Sequence, residues 1–258
     1  MRALPFLALA ACSFPTKTFV GGDSGSGQSD ARKDAAADAL AGFECVGQPF
    51  PTTATPTIRV SGTVYNPTGT MPVQGVSITI EDASNTVVGQ PTVSDANGLY
   101  AITLTTNGAP QDVHVVGTDT TRFIRTSVWR SIRLVADTDV TFAMVDASSA
   151  AGVGNAAGVP FDPTQSIVSV FLMDCDNRPQ AGATMPNSFA GATQRYVMGG
   201  SLPASAVSTD SSGTVYFINV QSGIATLSGT LAMGTAEIPR DVNLAGGEFA
   251  YTALQPGP

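Results

Sequence analysis

A chain of 258 residues with 43% hydrophobic and only 12% charged residues has the length of one or two domains and enough apolar side chains for a core. Its formal net charge of −8 argues against nucleic acid and anionic lipid surfaces as partners. A single histidine, His114, excludes the multi-histidine plan of a zinc peptidase, and the only two lysines, Lys17 and Lys33, sit outside the β-rich body, so no lysine there serves as a base.

The first element is a leader over residues 1–12. Arg2 precedes a short apolar run, Ala3 to Ala11, and small residues lead into Cys12. That order reads as a secretory signal, and the run is too short to span a bilayer, which takes roughly 20 apolar residues. Leu9-Ala10-Ala11-Cys12 resembles the lipobox of bacterial lipoproteins. The resemblance implies lipidation at Cys12 and, with Ser13 rather than Asp behind it, anchoring at the outer membrane, on its periplasmic face or at the cell surface.

Residues 13–55 read as a linker. Gly21 to Asp30 is built of Gly, Ser, Asp and Gln and cannot bury enough apolar surface to fold. Thirty such residues reach about 30 Å. The Ala-rich piece Asp30 to Leu40 could form a nascent helix capped by Asp30. Gly22-Asp23-Ser24-Gly25 has the look of a serine-protease nucleophile motif, but its setting in the linker lacks the rigid turn that such chemistry needs.

Period-two patterning starts at Ile58. Ile58 to Val64, Val76 to Ile80, Leu99 to Leu104 and Val113 to Val116 predict strands, with a turn at Asp95-Ala96-Asn97-Gly98. His114 falls in the last of these and is expected to face outward. Ile132 to Leu134 and Val140 to Val145 are predicted to finish the first module, residues 56–147. A Gly/Ala-rich connector, Ala147 to Gly158, follows; its glycine spacing does not match a dinucleotide fingerprint. The second module, residues 148–258, holds predicted strands at Ile167 to Leu172, Val215 to Val220 and Ile224 to Gly229.

The second module restates the first. Pro72-Val73-Gln74-Gly75-Val76 corresponds to Pro179-Gln180-Ala181-Gly182-Ala183, and Ser94 to Tyr100 corresponds to Thr209 to Val215. The distance from Gly75 to Gly98 is 23 residues and that from Gly182 to Gly213 is 31, so eight extra residues enter the second copy near Ala192 to Gly200. That insert carries Arg195 and Tyr196 and is expected to be a variable loop.

Val60 to Val64, Pro72 to Ile78 and Thr92 to Ile102 resemble the carboxypeptidase regulatory-like domain, a transthyretin-like β-sandwich. The match covers residues 58 to about 116, with residues 167–230 as a degenerate copy. The implied fold is all-β: two antiparallel Greek-key, Ig-like sandwiches after a disordered linker. The resemblance implies an accessory module without peptidase activity.

Three further readings concern sites. If Cys12 carries lipid, Cys45 and Cys175 remain to pair in an oxidising compartment, closing a loop of about 130 residues; two free thiols are the alternative. Asp95, Asp174, Asp176 and Asp210 raise calcium, against the commoner role of a turn Asp in capping its own backbone, and no metal or other cofactor is expected. Thr120 to Arg133 gathers Arg122, Arg125, Arg130 and Arg133 around Trp129, the only tryptophan. With Arg195 and Tyr196 it forms a candidate ligand surface, since Arg and Trp are enriched where proteins bind; the alternative buries Trp129 in the core. The function expected is a non-enzymatic envelope lipoprotein that binds or scaffolds, its partners the membrane through the lipid and a glycan or envelope protein; the alternative is a carbohydrate-binding module.

Overall fold

The computed structural model describes residues 42–232, 234 and 239–256. Cys12, the leader and the linker up to residue 41 lie outside them. The described chain is all-β apart from one helix, with strands β1 (Thr57–Tyr65), β2 (Ser77–Asp82), β3 (Val87–Val93), β4 (Leu99–Thr105), β5 (Val113–Thr118), β6 (Arg125–Trp129), β7 (Thr138–Asp139) and β8 (Phe142–Ala143) before it. After helix α1 (Ala147–Ala156) come β9 (Ser166–Leu172), β10 (Thr193–Tyr196), β11 (Thr214–Val220), β12 (Gly223–Leu227), β13 (Arg240–Leu244) and β14 (Glu248–Leu254).

The strands form three sheets. One small sheet has the order β4-β1-β7, with β8 also on β1; β12 and β13 pair as a hairpin; the large sheet runs β10-β11-β9-β14-β6-β5-β2-β3. This large sheet crosses the expected boundary at residue 147. Its seam is a parallel pairing of β14 with β6, from Glu248 opposite Arg125 to Thr252 opposite Trp129. Parallel pairs also join β14 to β9 and β1 to β7 and β8, where the sequence suggested antiparallel pairing throughout.

Period-two burial appears where one face meets solvent. β4 alternates without a break, Tyr100, Ile102 and Leu104 inward. The strands in the middle of the large sheet are covered twice. β9 and β14 are buried at every position. Ile167, Phe171, Tyr216, Ile218, Phe249 and Tyr251 pack with Ile58, Val60, Ile102 and Phe142 of the first repeat. On the other face Val168, Val170, Phe217 and Trp129 pack against Leu227, Val242 and Leu244 of the β12–β13 hairpin. The two repeats thus share one sheet and enclose a core on each of its faces.

The internal repeat recurs in the hydrogen bonds of one turn. Ser94 Oγ donates to Val73 O at 2.8 Å and accepts from Val76 N at 3.0 Å; Thr209 Oγ1 donates to Gln180 O at 2.6 Å and accepts from Ala183 N at 3.0 Å. Gly98 and Gly213 hold φ of 71° and 61°. A Cβ on either would stand 2.5 Å from Val64 O or 2.6 Å from Leu172 O, so both copies need glycine there.

Several expectations change. The connector Ala147 to Gly158 is largely helix α1, started by Asp146, whose side chain accepts from Ser149 N at 2.7 Å. The run Ile132 to Leu134 makes only a bridge between Leu134 and Gln111. The insert near residue 192 is no free loop: its core is β10, an edge strand paired to β11.

Candidate functional site

A groove of about 420 Å³ opens where the two repeats meet. It is lined by Asp112 before β5, by Ser131, Ile132, Arg133 and Val135 after β6, by Phe50 and Pro51, and by Pro239, Arg240 and Asp241 at the start of β13. The strap that carries Phe50 is fixed at both ends. Cys45 is disulfide-bonded to Cys175, and Ala54 N and Thr55 N donate to Gly108 O and Val135 O at 2.8 and 2.9 Å. Phe50 and Ile132 keep 46% and 39% of their surface exposed at the rim. Arg240 is buried and pairs with Asp112 at 2.5 Å. Ser131 Oγ donates to Gln255 Oε1 at 2.6 Å, and Gln255 Nε2 donates on to Asp174 O and Asn177 Oδ1. Ser131, and with it the groove lining, is thereby tied to the loop of Cys175.

The arginine and aromatic residues singled out in the sequence do not form one surface. Trp129 is 1% exposed; it fills the core between the large sheet and the β12–β13 hairpin and is not available to a ligand. Tyr196 is also buried, its hydroxyl donating to Met185 O at 2.9 Å, and Arg195 is held against helix α1 by a bond from Nε to Ala157 O. The arginines serve separate partners. Arg122 pairs with Asp119 and donates to Gln74 O. Arg130 donates to Asp139 O. Only Arg133 reaches the groove, and among the described residues no hydrogen bond or ion pair engages its guanidinium.

Arg125 is structural. It lies on the seam and grips Glu81 of β2 with two N–H groups, at 2.7 and 3.2 Å, and Glu248 of β14 with Nε at 2.9 Å. Burial works against its charge, but the bonds from Glu81 and the charge of Glu248 more than offset this and hold its pKa above the ordinary value. Burial raises the Glu248 carboxyl, with Arg125 opposing. One guanidinium between two buried carboxylates ties β2, β6 and β14 across the junction.

His114 corrects a second expectation. It faces inward, 1% exposed, between Glu81 on β2 and Trp129 on β6 in register. Its Nε2 stands 3.7 Å from Glu81 Oε2, a distance short enough for an ion pair. The ring is nonetheless neutral: burial, then the Arg125 and Arg240 charges, lower its pKa to about 3. Glu81 is already occupied by Arg125, so the contact is polar and not a salt bridge.

Of the aspartates raised for calcium, Asp176 pairs with Arg178 at 3.0 Å and the other three cap turns. Asp95 Oδ1 accepts from Asn97 N and Leu99 N, Asp174 Oδ1 from Asp176 N and Arg178 N, and Asp210 Oδ1 from Ser212 N. Among the described residues no group of three or more His, Cys, Asp or Glu is placed to hold a metal. The disulfide anticipated from the cysteine count is present, with Cα atoms 5.7 Å apart, and beside it Cys175 N donates to Gly42 O at 2.8 Å. No helix among the described residues is long and apolar enough to cross a membrane.

What the fold defines is a pair of fused β-sandwiches on one shared sheet. No protein-family model and no curated protein matches the chain. Solved structures similar to it include a streptococcal ancillary pilin, at 14% identity over 79% of this chain and 63% of that one, with a TM-score of 0.27. A hydroxyquinol 1,2-dioxygenase from Pseudomonas putida DLL-E4 matches at 13% identity over 43% of this chain and 71% of that one, TM-score 0.27. A shaft pilin from Lactobacillus rhamnosus GG matches at 12% identity over 80% and 99%, TM-score 0.24.

Proposed function

We propose that the chain is an exported, lipid-anchored protein of the outer membrane whose fused sandwiches bind or scaffold without catalysis. The Cys45–Cys175 disulfide carries this reading. A bridge of this kind belongs to an oxidising compartment, and it leaves Cys12, behind its lipobox-like residues, as the single unpaired cysteine. Beside the bridge Cys175 N donates to Gly42 O, so a tether N-terminal of residue 42 would join the body there. The non-catalytic part is supported by the residues that chemistry would need. The one histidine is walled in by Trp129 and carries no hydrogen bond on either ring nitrogen, and both lysines lie in the leader-proximal linker.

Detergent phase partition of the protein from its own membranes, with mass spectrometry of the N-terminus, tests the anchor. A lipid adduct on Cys12 and release of Cys12→Ser into the aqueous phase are expected. An unmodified wild-type protein in the soluble fraction would overturn the reading. The groove favours a second reading, that binding is directed at carbohydrate.

A further inference from the structure

The groove between the repeats has a composition that selects a ligand class. Its charges are Arg133 and Arg240 against Asp112 and Asp241, two of each sign. Within a chain of net charge −8 such a site offers no attraction to an anion. It offers guanidinium donors, carboxylate and hydroxyl acceptors, and with them an exposed ring, Phe50, and the half-exposed Ile132. The volume of about 420 Å³ lies in the range of small-ligand sites, roughly 300–1,000 Å³. Mixed donors and acceptors around an apolar face match a molecule whose every hydroxyl both donates and accepts and whose carbon face is flat.

We propose that this groove binds a neutral, hydroxyl-rich saccharide, its ring lying on Phe50 and its hydroxyls shared between Arg133, Asp112 and Asp241. Arg133 supplies the planar donor fork left unused by the protein. Arg240 is held in place beneath by Asp112 and by the face of Trp129, whose ring lies 5.5 Å from the guanidinium carbon. Because Trp129 is the only tryptophan, its emission reports on Arg240 and hence on the groove. The proposal rests on the binding part of the function above and is independent of the anchor.

The full chain, in a zwitterionic detergent free of sugar, is titrated with xylohexaose, cellohexaose, mannohexaose, maltohexaose and an oligogalacturonate, with Trp129 emission and calorimetry as readouts. A saturable response to at least one neutral oligosaccharide is expected, weakened at least about tenfold, or about 1.4 kcal/mol, by Phe50→Ala and by Arg133→Ala. Val207→Ala, at an exposed position outside the groove, is expected to leave it unchanged. Silence to all four neutral oligosaccharides, a response to the oligogalacturonate alone, or affinity indifferent to both groove variants would overturn the proposal. A protein that stays in the detergent phase but ignores every neutral sugar would sink this assignment and leave the anchor standing.

Discussion

His114 stacks face to face on Trp129, ring centroids 3.6 Å apart and planes at 13°. The stack joins β5 to β6 on the face that the second repeat covers, and it keeps the only histidine neutral in a site that also holds Glu81, Arg125 and, above the tryptophan, Arg240. Its first consequence concerns acid.

In the folded protein His114 titrates at about 3, against 6.5 when unfolded. Between those values the unfolded chain binds more protons, so stability rises with pH there and falls as pH drops from 6.5 towards 3, by up to about 1.4 kcal/mol per unit. Above pH 6.5 this contribution is constant. His114→Phe keeps the ring and removes the proton. Urea unfolding of both proteins at several pH values between 4 and 7.5 is expected to show the variant losing less stability on acidification, and parallel curves would refute the assignment.

Arg125 neutralises two buried carboxylates. Arg125→Met is expected to cost about 3–5 kcal/mol, because Glu81 and Glu248 are then left without compensation. Replacing both carboxylates by Gln in the same chain should recover much of the loss. Denaturation midpoints of the single and triple variants decide it; an Arg125→Met protein as stable as wild type would show the seam does not depend on this clamp.

Removal of the disulfide takes away the covalent tie between the strap and the second repeat and opens a loop of 130 residues. Cys45→Ser with Cys175→Ser is expected to lower stability by about 2–5 kcal/mol. Wild type in strong reductant should match the double variant. A gap between the two unfolding curves would mean that the serines, and not the lost bridge, cause the change.

Gly98→Ala and Gly213→Ala meet the same obstacle, a backbone carbonyl at 2.5 and 2.6 Å, on backbones of positive φ. Each is expected to lose more than about 1 kcal/mol. Gly152→Ala, in helix α1 with nothing within 4 Å of the new methyl, should gain about 0.5–1 kcal/mol. Thermal unfolding of the three variants should show two falls and one rise; a tolerant Gly213 alone would break the equivalence of the repeats.

Some of this was legible in the residues. Where a strand has one wet face, as β1, β2 and β4 do, alternation announces it, and the Pro–Gly and Asp-x-x-Gly positions mark the same turn twice. The cysteine count pointed to the bridge. β3 did not show, since Val-Val-Gly-Gln-Pro-Thr-Val at a sheet edge has no alternation. β14 did not show because Glu248 and Thr252 interrupt its apolar run, where β9 keeps an almost unbroken one. Helix α1 was hidden by its glycines, and Asp146 was the one signal for it. Arg125 looked like part of a binding surface because its partners, Glu81 and Glu248, stand 44 and 123 residues away. The groove needs residues from near positions 50, 132 and 240, and no local pattern brings those together.

The seam at β14 has a bearing on how the protein is made. β14 follows every other described strand, yet it is the one that closes the open edge of β6 and joins the halves. A chain that emerges N-terminus first therefore carries an unsealed sheet until β14 arrives, and the half it has already delivered waits with a vacant edge. Cutting the molecule at the connector would recreate that state permanently, so the first half is expected to self-associate through β6 when expressed alone.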